Sequence, residues 1–188
     1  MIDRKYVPDI LTSLRIVGAV ALVIVAPLTP LFYFIYTVCG ITDGLDGWLA
    51  RRWGCTSMLG AALDSVADLL FYTVTVLRLM PVLAARLPSA FWLAVAAVLA
   101  VRLAAYAVAA VKYRRFAAMH TYGNKITGFS LFMLPYLMGM GHVMGPCTIV
   151  CALGGLSSAE ELAIHLMSPV YDPTVKAAIM LRHGMKRP

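Results

Sequence analysis

Four of the nine acidic residues in this 188-residue chain fall within one 26-residue window, as Asp43, Asp46, Asp64 and Asp68. Asp43 and Asp46 are three apart and Asp64 and Asp68 four apart, so each pair lies on one face of a helix. All four stand within or at the ends of otherwise apolar segments. A carboxylate at membrane depth costs about 2.5–3.5 kcal/mol even on lenient insertion scales, and such residues are functional by default. Four of them left unpaired would exceed the net stability of a small protein, so something positive must sit among them. A short hairpin between the two segments brings the pairs opposite each other near the inner membrane surface. Carboxylates that converge with no Cys or His nearby suit a hard divalent cation, Mg²⁺ or Mn²⁺. Neutralising four charges takes two such ions, the arrangement used in phosphoryl transfer.

Glycines share these segments. Gly44, Gly47 and Gly60 sit where glycine is about 1 kcal/mol poorer than alanine as a helix former. That cost is reasonable where a bulky, phosphate-bearing ligand approaches the backbone; close packing of small residues between membrane helices is the alternative. Ala50, one turn beyond Asp46, keeps the same face low, and Arg51 at the rim is placed to neutralise a phosphate oxygen.

The elements that must position these residues are apolar helices. The chain is 61% hydrophobic and 13% charged, against about 25% charged in an ordinary soluble domain. This excludes a soluble enzyme, a disordered chain, a disulfide scaffold and a collagen-like repeat. The expectation is a single all-α domain over 1–188: a polytopic membrane protein with six transmembrane helices and a short N-terminal interfacial helix. The spans are predicted near Ile10–Pro27, Leu31–Ala50, Met58–Met80, Ala90–Val111, Ile126–Val143 and Thr148–Met167.

The net charge of +7 reads as topology, with no nucleic-acid partner. With the N-terminus inside, thirteen basic residues gather on the inner face, among them Arg4, Lys5, Arg15, Arg51, Arg52 and Lys112. Only Arg78 and Arg86 lie outside, and Arg102 is within the membrane. The positive-inside rule then predicts both termini and the aspartates on the cytoplasmic side of the cell membrane. The opening segment reads as a retained first helix rather than a cleaved signal. The four cysteines and four histidines are scattered among packing positions, and the tail after Pro169 has no assignable role.

The run Asp43, Asp46, Gly47, Ala50, Arg51, then eight residues, then Gly60, Asp64, Asp68 resembles the signature of the CDP-alcohol phosphotransferase (CDP-alcohol phosphatidyltransferase) family, class I. That pattern is D-x-x-D-G-x-x-A-R, eight residues, G-x-x-x-D-x-x-x-D, and every specified position is met. Pro8, Thr12 and Arg15 resemble the family's P-N-x-x-T-x-x-R opening, with Asp9 in place of Asn. The resemblance implies transfer of a substituted phosphate from a CDP-linked alcohol, typically CDP-diacylglycerol, to the hydroxyl of a second alcohol, with release of CMP. It implies that Asp43, Asp46, Asp64 and Asp68 hold Mg²⁺ or Mn²⁺ and that Asp68 is also the base. Gly47, Ala50, Arg51 and Gly60 would line the CDP site, with Thr12 beside the nucleotide. Family members tend to form homodimers in the membrane lipid.

The candidates for an acceptor site lie outside the signature. Arg102 in the fourth span and Lys125 at the start of the fifth could hold a phosphate-bearing acceptor such as glycerol 3-phosphate. Arg102 could instead pair with Glu160 or Glu161 in the sixth span. The run Gly123–Thr127 resembles part of the phosphatidylglycerophosphate synthase pattern, with one lysine missing, whereas Ser65 is more like the phosphatidylserine synthase branch. Glycerol 3-phosphate is the expected acceptor, with serine, inositol or inositol phosphate as alternatives. A divalent-cation transporter would explain the carboxylates but not Arg51 or the glycines.

Overall fold

The computed structural model describes residues 7–53, 58–114 and 121–168, without the side chains of residues 7–9, 47, 48, 50, 51, 58, 59, 61 and 62. The described residues form six helices and no strand: α1 (Val7–Ile24), α2 (Pro30–Trp53), α3 (Met58–Arg86), α4 (Ser89–Tyr113), α5 (Tyr122–Gly139) and α6 (Met144–Met167). The expected all-α class is what the chain adopts. Among the described residues, three stretches are long and apolar enough to cross a membrane, Leu63–Arg86, Ser89–Tyr113 and Met144–Met167, and Ile10–Ile24 is a shorter apolar helix. The chain divides into two compact units, Met1–Ala85 and Arg86–Pro188.

In the first unit, α1 has two unlike faces. Thr12, Arg15, Ala19 and Leu22 are buried, at spacings of three and four, while Leu14, Val17, Val20 and Ile24 are exposed. The buried face packs on α2. Thr29 starts α2 by accepting the Phe32 amide on its hydroxyl at 3.3 Å, and Pro30 follows at the first helical position, where its missing N–H costs nothing. The rings of Phe32 and Tyr36 stack, and Tyr36 meets Phe71 of α3 at 5.2 Å. At the far end, Arg78 of α3 donates to the Val25 carbonyl at 2.6 Å, just past the end of α1. A helix end among apolar groups must find such a partner.

Gly18 is where α1 and α2 come closest. A Cβ there would collide with the Cys39 sulfur, which itself lies 3.8 Å from the Arg15 carbonyl. Gly18→Ala is therefore expected to destabilise the folded chain by about 1–3 kcal/mol, the usual cost of overpacking. Thermal unfolding in detergent measures it, and the loss should shrink when Cys39→Ala is added.

The second unit packs α4 and α5 against α6. Gly154 and Gly155 of α6 lie against Val98 of α4, the small-residue contact usual between membrane helices. The end of α6 is capped from α4. Lys112 Nζ donates to the carbonyls of His165 and Leu166 at 2.8 and 3.0 Å, and the Tyr113 hydroxyl donates to that of Ser168 at 2.9 Å. The two helices therefore finish at one level.

Several boundaries depart from expectation. α3 runs through Pro81 to Arg86 instead of stopping at Met80, because one proline removes only one hydrogen bond and the turns on either side hold. α5 begins at Tyr122, four residues early, since the Thr121 side chain accepts from the Asn124 amide and starts the helix there. α6 begins at Met144 rather than Thr148. The expected interfacial helix falls mainly on residues 1–6, outside the described residues, while Pro8 and Asp9 lie in the first turns of α1.

Candidate functional site

Arg15 gathers the four aspartates. Its side chain is fully buried, and its guanidinium lies among carboxylates supplied by two other helices. Nη1 donates to Asp64 Oδ1 at 2.8 Å, donates to Asp68 Oδ1, and lies 3.7 Å from Asp43 Oδ1. Nη2 donates to Asp46 Oδ2. The same oxygen accepts from the Thr12 hydroxyl at 3.3 Å. Thr12 and Arg15 are three residues apart on α1, so both point into the cluster.

The four acids are not equivalent. Asp46 is 4% exposed, closed in by Arg15 and Thr12, whereas Asp43, Asp64 and Asp68 are 34–38% exposed. The open three each offer an oxygen within 4.8 Å of the others. Ligands on opposite sides of one Mg²⁺ are about 4.2 Å apart, from bonds of about 2.1 Å, so small side-chain adjustments would let all three bind. All donors are oxygen, which suits Mg²⁺ or Mn²⁺ rather than zinc. With one guanidinium among four carboxylates, three negative charges remain in excess. The donor set and its charge both fit a divalent cation. Asp46 falls outside this group of three and is engaged with Arg15 and Thr12.

Gly44 lies between Asp43 and Asp46, and a Cβ there would meet nothing within 4 Å. Its small size is not demanded by packing against the described helices, which leaves room for a ligand beside the backbone. Gly60 is half-buried on α3, one turn before Asp64. Gly47, Ala50 and Arg51 have their backbone in α2, but their side-chain environment lies outside the described residues.

The two residues expected at an acceptor pocket belong to the second unit. Arg102 donates from Nη1 to Asn124 Oδ1 at 2.8 Å and to Glu161 Oε2. Asn124 Nδ2 donates to the same Glu161 oxygen at 3.1 Å, and the Ser157 hydroxyl donates to Asn124 Oδ1 at 2.5 Å. Glu161 is fully buried, so this is the ion-paired alternative for Arg102. Lys125 is exposed in the first turn of α5.

Arg15 is the residue that the sequence placed in a motif and a charge count without placing it among the carboxylates. The available signal was its spacing from Thr12, together with the need for a cation in an acidic cluster.

A helical membrane protein whose first unit converges four aspartates on a buried arginine is thus defined by fold and site. Residues 5–156 match the family model described as CDP-alcohol phosphatidyltransferase, and the chain belongs to that family. A 34-residue stretch is 56% identical to the CDP-diacylglycerol–glycerol-3-phosphate 3-phosphatidyltransferase of Haemophilus influenzae, covering 18% of each chain. A 69-residue stretch is 39% identical to the enzyme of that name from Salmonella choleraesuis, covering 33% of this chain and 37% of that one. A 64-residue stretch is 38% identical to CDP-diacylglycerol–inositol 3-phosphatidyltransferase 1 of Arabidopsis thaliana, covering 34% of this chain and 28% of that one. Across these three relatives the matched stretches span 18 to 37% of the relative's length. No solved structure matches the chain.

Proposed function

We propose that the protein transfers a phosphatidyl group from CDP-diacylglycerol to the hydroxyl of a small polar alcohol, releasing CMP, with glycerol 3-phosphate as the acceptor. The observation that carries this reading is the convergence of Asp43, Asp64 and Asp68 within 4.8 Å, at the spacing of the family signature. Two of the relatives described above carry glycerol 3-phosphate in their names, which supports the acceptor. The match to an inositol enzyme keeps inositol as the second choice. The excess of basic residues on one set of loops supports cytoplasmic termini and a site open to the cytoplasmic face of the cell membrane.

The chemistry follows from the residues. Asp43, Asp64 and Asp68 would hold Mg²⁺ or Mn²⁺, with Asp46 beside them. Bound ions would offset the charge of the diphosphate and make CMP a better leaving group. Asp68, one turn beyond Asp64 and one-third exposed, takes the proton of the acceptor hydroxyl. The acceptor oxygen bonds to the lipid-side phosphorus as the bond from that phosphorus to the bridging oxygen breaks, and CMP departs with the electron pair. The open backbone at Gly44 gives the diphosphate room, and Arg51 neutralises one of its oxygens.

The test is CMP release by the purified chain in detergent, with CDP-diacylglycerol and Mn²⁺. Glycerol 3-phosphate, serine, inositol and inositol phosphate are supplied one at a time. Release with glycerol 3-phosphate alone is the expected result. Release with another acceptor alone overturns the acceptor choice, and silence with all four overturns the donor and reaction assignment.

A further inference from the structure

We propose that Arg15 is a tethered cation sharing the oxygens of Asp43, Asp64 and Asp68 with the divalent ion, so that ion uptake is an exchange. In that exchange the guanidinium gives up these oxygens while staying bound to Asp46. The inference rests on the reading above that the three aspartates hold the ion.

Three observations carry it. One nitrogen, Nη1, reaches all three residues: 2.8 Å from Asp64, 3.7 Å from Asp43, and hydrogen-bonded to Asp68. These are the same three residues whose oxygens lie within 4.8 Å of one another. A divalent ion and Nη1 cannot both sit on those oxygens without their like charges meeting at close range.

The second observation is the tether. Nη2 donates to Asp46 Oδ2, which is nearly closed to solvent and also accepts from Thr12. A turn of the planar guanidinium about that contact would carry Nη1 off the other carboxylates while Nη2 keeps Asp46, since the fork moves as one unit.

The third is an unsatisfied donor. Arg15 Nε is buried and has no hydrogen-bond partner among the described residues. A guanidinium with every donor satisfied could only lose by moving, whereas this one can gain a partner elsewhere. The diphosphate of the nucleotide would supply acceptors suited to the released fork.

Mn²⁺ is titrated into the full chain in detergent, without nucleotide, and free Mn²⁺ is read by electron paramagnetic resonance. Arg15→Gln removes the competing charge and is expected to bind Mn²⁺ about tenfold more tightly than wild type. Arg15→Lys keeps the charge and should stay close to wild type. A purely structural arginine predicts the reverse, so equal or weaker binding by Arg15→Gln overturns the exchange. Absence of Mn²⁺ binding in wild type and both variants overturns the metal reading itself. Should Arg15→Gln not fold, wild type carries the test through the side-chain ¹⁵N resonances of Arg15 during a Mg²⁺ titration. Loss of the hydrogen-bonded signature of Nη1 with that of Nη2 retained supports the exchange, and both signatures retained at saturating ion overturn it.

Discussion

Asp68→Asn is expected to lower CMP release by about 10³-fold or more, because it removes the base and one ion ligand together, and a base alone contributes about 10²–10⁴. The fold should not suffer in parallel. The cluster holds four carboxylates against one guanidinium, so neutralising one acid relieves like-charge repulsion while leaving Arg15 three partners. Melting without added divalent ions is therefore expected to hold or rise. Activity and thermal unfolding measured on the same preparation separate the outcomes. A large loss of activity with an intact melting transition places Asp68 in the chemistry. A matched fall in both would make it a structural partner of Arg15 and move the base elsewhere.

The second large effect is on stability. Arg102→Met leaves Glu161, which is fully buried, with a hydrogen bond from Asn124 and His165 Nε2 at 3.8 Å, but without the permanent charge of the guanidinium. Breaking a buried pair from one side costs about 3–5 kcal/mol, whereas replacing both members by apolar residues is often neutral. Arg102→Met is therefore expected to unfold at markedly lower denaturant or temperature, and Arg102→Met with Glu161→Met to recover most of the loss. A double-mutant cycle in detergent measures the coupling. Were the single variant as stable as wild type while activity fell only with phosphorylated acceptors, Arg102 would be an acceptor ligand instead.

The aspartates were legible in the sequence because a helix converts spacing of three and four into a shared face, and apolar surroundings make each acid conspicuous. The six helices were legible for the same reason, since proline, glycine and charge interrupt the apolar runs. What spacing along one helix does not carry is convergence between helices. Arg15 stands 49 residues from Asp64 and 53 from Asp68, and its charge is as consistent with an inner-face anchor as with an ion pair. The choice between a pocket and Glu161 for Arg102 likewise turned on a contact across 59 residues. Among the boundaries, the start of α5 had a readable signal in Thr121, a capping residue three before Asn124, whereas Pro81 was a misleading one. A proline near the end of a long helix breaks one hydrogen bond, not the helix.

The burial of Arg15 also bears on how the protein enters a membrane. Alone, α1 is an 18-residue helix with an arginine at its middle, and such a charge adds about 2.5–3.5 kcal/mol to the insertion of an isolated segment. The segments carrying the aspartates face the same difficulty with the opposite sign. Arg15 of α1 is the counter-charge for the aspartates of α2 and α3, and they for it, so α1, α2 and α3 are better partitioned into lipid as a group than one after another. Biogenesis of the first unit should therefore be cooperative, with α1 waiting at the insertion site until the acidic hairpin has been made.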